Sequence, residues 1–135
     1  MLFSKTTTYA LRIMILMAKD EKKQISAQQI HETLSIRKAY LRRLMTDLSK
    51  HGFIKSTMGR NGGYQFAGKP EEIHIYEVID AVEGIDSLEG CILGVTNCDQ
   101  SPQCVMHVLW ENTRKNLLYT FKHTSLMNLN TIGLV

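Results

Sequence analysis

Cysteine is missing from the first ninety residues of this 135-residue chain and from everything after residue 104. Three thiols are too few, and too closely grouped, for a disulfide-stapled scaffold, and an odd number leaves one over from any pairing. Proline occurs twice, at Pro70 and Pro102, so helices are seldom interrupted. No apolar run approaches the eighteen or more residues that a membrane span needs. Leu11 to Ala18 is apolar but short, is broken by Arg12 and has no small-residue cleavage site after it, which speaks against a signal peptide. A cytoplasmic protein with no membrane association is the expectation. Acidic residues are scarce in one half only. Residues 1–70 hold thirteen Lys and Arg against four Asp and Glu, a balance of +9, whereas residues 71–135 hold three against nine, a balance of −6. A basic half joined to an acidic half suggests that one part meets a polyanion and the other does something else.

The cysteines that are present lie together. Cys91, Cys98 and Cys104, followed by His107, are spaced C-x6-C-x5-C-x2-H, placing four soft or borderline metal ligands within seventeen residues. The residues between them, Gly94, Thr96, Asn97, Asp99, Ser101 and Pro102, are loop formers that let a chain wrap an ion. Ser101 as N-cap and Pro102 at the first helical position predict a helix start there, with Cys104 in the first turn and His107 on the same face. The positive end of a helix favours the thiolate that binds metal. By spacing alone an iron–sulfur cluster and a structural zinc site remain equally open.

Tyr9, Ala10, Ile13, Met14, Leu16 and Met17 predict an amphipathic first helix capped by Ser4. A second helix is predicted from the Ser26–Gln29 capping box, with Ala27, Ile30 and Leu34 as its stripe. After the break at 34–36 a third helix of about fifteen residues turns Leu41, Leu44, Met45 and Leu48 inward. Its outer face carries Ala39, Arg43, Thr46 and Lys50, flanked by Lys38 and Arg42. Two short helices with a tight turn, the second basic outside, make a helix-turn-helix. Gly52 ends that helix, and two short strands around Met58-Gly59-Arg60-Asn61-Gly62-Gly63 form a hairpin wing with Arg60 and Asn61 at its tip. Ile73, Ile75, Val78, Ile79 and Val82 fit a fourth helix ending at Gly84, with Glu71, Glu72 and Glu77 near its start. From Pro102 to about Thr124 a long helix is expected, with Val105, Val108, Leu109, Leu117, Leu118 and Phe121 apolar. A helix of that length on so small a body suggests a second copy as its packing partner. Asn128 to Val135 carries no readable signal.

The fold expected is therefore mainly α with a small β-hairpin wing, a winged helix-turn-helix followed by a long C-terminal dimerisation helix. Its parts would be residues 1–84 for DNA binding, 85–107 as a cluster-binding loop and 108–135 as dimerisation helix and tail. The candidate DNA-contacting set is Lys38, Ala39, Tyr40, Arg42, Arg43, Lys50, Arg60 and Asn61.

Tyr9-Ala10-Leu11-Arg12, the wing Gly59-Arg60-Asn61-Gly62-Gly63-Tyr64, and Ile75 to Gly84 ending in Ala-Val-Glu-Gly together resemble the Rrf-type winged-helix transcriptional regulators, over roughly Met1 to Leu129. The resemblance implies a homodimeric repressor or activator that binds a double-stranded DNA operator and whose cluster state alters DNA affinity. In the IscR-like branch, three cysteines and a histidine three residues after the third hold a 2Fe-2S cluster. Cys91, Cys98, Cys104 and His107 match that pattern, with a first gap one residue longer. The NsrR-like branch uses a 4Fe-4S cluster and an acidic residue just before the Tyr-Ala pair; Thr8 stands there in this chain. Arg42 and Arg43 stand where the IscR-like branch has acidic and amide residues, so the target sequence is not carried over.

The leading expectation is thus a DNA-binding regulator sensing iron–sulfur or redox status, not an enzyme. Its rivals are a winged-helix regulator with structural zinc, one with direct thiol redox sensing, and a nitric-oxide-responsive 4Fe-4S regulator. An enzyme using Cys104 and His107 as nucleophile and base ranks lowest, since no third orienting group is apparent.

Overall fold

The computed structural model describes residues 3–96 and 104–129, apart from the side chain of Ser87. Helix α1 (Lys5–Ala18) begins where extended Ser4 accepts the Thr7 amide on its hydroxyl at 3.3 Å. Its inner face, Ala10, Ile13, Met14 and Met17, is buried, so the methionines are core filler. Helix α2 (Ala27–Leu34) opens on both halves of the capping box, Ser26 Oγ accepting from the Gln29 amide at 3.1 Å and Gln29 Oε1 from the Ser26 amide at 2.9 Å. Ser35 then turns left-handed (φ 55°), and Ile36 plugs the core between the helices.

Helix α3 (Lys38–Lys50) is 13 residues long and buries Leu41, Leu44, Met45 and Leu48. Lys38, Ala39, Arg42, Arg43, Thr46 and Lys50 are exposed, as the periodicity requires. Gly52, at φ +78°, ends the helix. Strands β1 (Ile54–Thr57) and β2 (Gly63–Phe66) pair antiparallel, Ile54 facing Phe66 and Thr57 facing Gly63. Ile25 adds an isolated bridge to β2, exchanging two 2.8 Å backbone bonds with Tyr64. Two of the wing glycines answer to space. A Cβ on Gly62 would lie 2.2 Å from the Thr57 carbonyl oxygen, and one on Gly63 2.8 Å from that of Ile25.

Helix α4 (Ile75–Val82) starts two residues later than the apolar pattern predicts. The Glu77 carboxylate accepts the His74 amide at 3.1 Å and so fixes the start, while Ile73 is drawn off to accept the Leu126 amide at 2.9 Å. A short helix α5 (Asp86–Glu89) follows, in a stretch read from sequence as loop. Helix α6 (Val105–His123) begins after Cys104, whose extended ψ of 117° makes it the N-cap and not a first-turn residue. The predicted cap at Ser101 and Pro102 lies outside the described residues.

The apolar residues of α6 do not form one stripe. Leu117, Leu118 and Phe121 are half-buried, the last two packing with Ile79, Ile85 and Leu88 in a second core, with the Phe3 ring tilted at 55° and 5.7 Å from that of Phe121. Val105, Val108 and Leu109 are exposed. After α6 the chain turns back, buries Leu126 in the main core and forms a 3-10 turn (Met127–Leu129). The result is a winged helix-turn-helix with the long helix packed across α4.

Candidate metal centre and nucleic-acid interface

The basic face is built by α3 and the wing. Lys38, Ala39, Arg42, Arg43 and Lys50 stand in solvent on α3, and Arg60 and Asn61 at the wing tip. Tyr40 is placed differently. Its ring meets Tyr9 edge-on at 5.7 Å and its hydroxyl is bonded to Thr6, so it braces α3 against α1. Lys5 and Arg37, which sequence reasoning passed over, join Arg43 around an open cleft of about 700 Å³ between α1 and the start of α3. Each falls at a helix start, a position that periodicity does not distinguish. The arrangement offers cations to a phosphate backbone on both sides of a helix that fits a major groove.

The second site lies between α5 and α6. Cys91, directly after α5, and His107, in the first turn of α6, line one pocket of about 60 Å³. Cys104 is the N-cap one turn before His107, whose amide donates to the Cys104 carbonyl at 3.1 Å. Cys91 and Cys104 are both half-buried thiols. Cys98 lies outside the described residues. Among the described residues no three of His, Cys, Asp and Glu are gathered closely enough to hold an ion by themselves. What is brought together is a sulfur and an imidazole, with a second sulfur at the positive end of the same helix. That donor chemistry suits a thiophilic metal or cluster.

Around the pair, the pocket is polar. His107 Nε2 lies 3.8 Å from Glu111 Oε2, and Lys115 Nζ 2.9 Å from Glu111 Oε1. The Lys115 ammonium, by hydrogen bond and charge, holds the Glu111 carboxyl below its ordinary value, with smaller contributions from His107 and Arg114. The carboxylate is thus ionised next to the ring, as outer partners of metal-binding histidines commonly are. Trp110 and Arg114 complete the wall. Neither was singled out from the sequence.

A model of the Rrf2 family, described as an iron-dependent transcriptional regulator, matches residues 3–131. The chain belongs to the Rrf2 family. It is a DNA-binding transcriptional regulator with a winged helix. The NsrR regulator of Bacillus subtilis (strain 168) is 34% identical over 121 residues, covering 87% of this chain and 83% of that one. The structure of CymR, the global cysteine regulator of B. subtilis, aligns with a TM-score of 0.75 at 26% identity, covering 96% of this chain and 95% of that one. T. potens IscR aligns at 0.74 over 94% of this chain and 84% of that one; at 23% identity the likeness is one of fold. These relatives are regulators and not enzymes. Within this Rrf2-family chain no helix among the described residues is long and apolar enough to cross a membrane.

Proposed function

We propose that this Rrf2-family regulator is a cytoplasmic homodimer whose grip on an operator is set by an iron–sulfur cluster, of the 2Fe-2S type, held by Cys91, Cys98, Cys104 and His107. The observation that carries the reading is the meeting of Cys91 and His107 in one pocket, with Cys104 one turn below on the same helix. When bound, the cluster would supply a redox couple and a linkage that oxidants break. The residues do the rest. The cysteines enter as thiolates, and His107 offers a neutral ring nitrogen while Glu111 orients the ring. Ligation would tie residues 85–107 to α6 and so fix how residues 108–135 meet residues 1–84. Thr8 supports the smaller cluster, because its hydroxyl donates to the Ser4 carbonyl at 3.2 Å within its own helix instead of offering an acidic ligand.

On the DNA side, Lys38, Ala39, Arg42 and Arg43 would face base edges, with arginine able to pair bidentately with guanine, while Lys50, Arg60 and Asn61 contact the backbone or minor groove. Tyr40 would serve by fixing the tilt of α3.

Anaerobically purified protein is expected to be reddish-brown, with iron and sulfide in equal amounts. His107→Ala or any of the three cysteine substitutions should remove most of the visible absorption while leaving the fold intact. Colourless protein without iron would overturn the cluster, and zinc in its place would favour the structural-metal alternative. Separately, Arg60→Ala should weaken DNA binding evenly across sequences and lower the salt slope of log K by about one.

A further inference from the structure

The pocket beside His107 has two walls, and one of them is a short helix that does not hold itself in place. Helix α5 has four residues, too few to be stable alone. Its base is anchored: Ile85 and Leu88 are buried with Ile79. Its C-terminal end is not closed by a left-handed residue, because Gly90 is extended at φ −82° and ψ 174°. The carbonyls of Glu89 and Gly90 therefore need donors from elsewhere. Both find them on α6. Trp110 Nε1–H donates to the Gly90 oxygen at 2.8 Å, and the Arg114 guanidinium donates to the Glu89 oxygen.

We propose that Trp110 and Arg114 are positioning residues that hold Cys91 against His107. The two carbonyls they grip belong to the two residues immediately before Cys91. Trp110 and Arg114 lie three and seven positions after His107, on the same face of α6. One helix face thus carries a ligand-type imidazole and the two hooks that fix where the opposing thiol enters. Beyond Cys91 the chain turns sharply, Gly94 donating its amide to the Cys91 carbonyl at 2.9 Å. With both sides of Cys91 pinned, its sulfur has little freedom along the chain. Sites of this kind depend on such outer contacts to hold donors within a fraction of an ångström.

The inference rests on the reading that Cys91 and His107 are ligands, but its first test needs no metal. In metal-free full-length protein, Trp110→Phe keeps the ring and removes the donor, and Arg114→Met keeps the stem and removes the charge. Iodoacetamide alkylation, mapped by mass, should run several-fold faster at Cys91 in each variant and faster still in the double variant, with the Cys104 rate unchanged. Arg114→Lys, which can still donate, should restore much of the protection. An unchanged Cys91 rate in the double variant, or an equal rise at Cys104, would overturn the proposal. After anaerobic reconstitution the double variant should show the wild-type visible spectrum but bleach several-fold faster in air; equal lifetimes would also count against it. A wild-type chain that takes up no iron would overturn the cluster reading alone, and the alkylation rates would still decide whether Trp110 and Arg114 hold Cys91.

Discussion

Thr7 carries a hydroxyl into a fully buried position, and one carboxylate answers for it. Glu83 Oε2 accepts from Thr7 Oγ1 at 2.5 Å, from the Ser4 amide at 3.2 Å and from Ser4 Oγ at 3.3 Å. The negative charge sits at the N-terminus of α1, where the helix dipole favours it. In the same turn, Thr6 is bonded to the Tyr40 hydroxyl of α3. The first turn of α1 is therefore bonded on one side to Glu83 at the end of α4 and on the other to Tyr40 of α3, through two separate sets of hydrogen bonds. Glu83→Ala removes the acceptor of the buried Thr7 hydroxyl and of the Ser4 amide, and should cost about 1–3 kcal/mol in urea unfolding. Glu83→Gln keeps an acceptor and should cost less. Equal stability of the alanine variant would show that solvent replaces the carboxylate at no loss.

At the scale of elements, the return segment after α6 closes the main core. Leu126 is 0% exposed, and the Leu126 and Met127 amides bond to the carbonyls of Ile73 and Pro70. Leu126→Ala should destabilise the fold by about 2–5 kcal/mol, read as an earlier urea midpoint with little change in slope. That segment was invisible in the sequence because one buried leucine among Ser125, Met127 and Asn128 makes no periodic pattern. Helix α5 was missed for the same reason, four residues being little more than one turn. The Ser26–Gln29 capping box, the stripe of α3 and the stop at Gly52 were legible because their causes lie within a few residues of one another. In α6 the apolar residues were legible but their faces were not. Leu109 and Leu117 are eight positions apart, so at 3.6 residues per turn they point about 80° away from each other. The candidate metal pocket shows the same division. Rare sulfur and imidazole donors announce themselves, whereas Trp110 and Arg114 act on the backbone carbonyls of Gly90 and Glu89, which any residue could supply.

For the molecule as a whole, the face of α6 that turns away from its own body is where the proposed homodimer would form. Val105 is 72% and Leu109 55% exposed, with Val108 between them, and Ile92, Leu93 and Val95 of the preceding loop are exposed as well. Exposed apolar residues grouped at one end of a long helix, as Val105, Val108 and Leu109 are, suit a two-fold interface in which the same surface meets itself. Its position matters for sensing, because the patch begins at Val105, between the two donors Cys104 and His107. A second copy docked there would leave the basic faces free to meet two half-sites of one operator. Leu109→Glu places a charge at the centre of the patch without touching the inward residues Leu117, Leu118 and Phe121. Light scattering should show a wild-type dimer and a mutant monomer with the same helical circular dichroism. Affinity for a two-half-site operator should fall more than about tenfold, while binding to a single half-site changes little, because only the linkage between sites is lost. A mutant that remains dimeric would place the interface on another face and separate the candidate metal pocket from assembly.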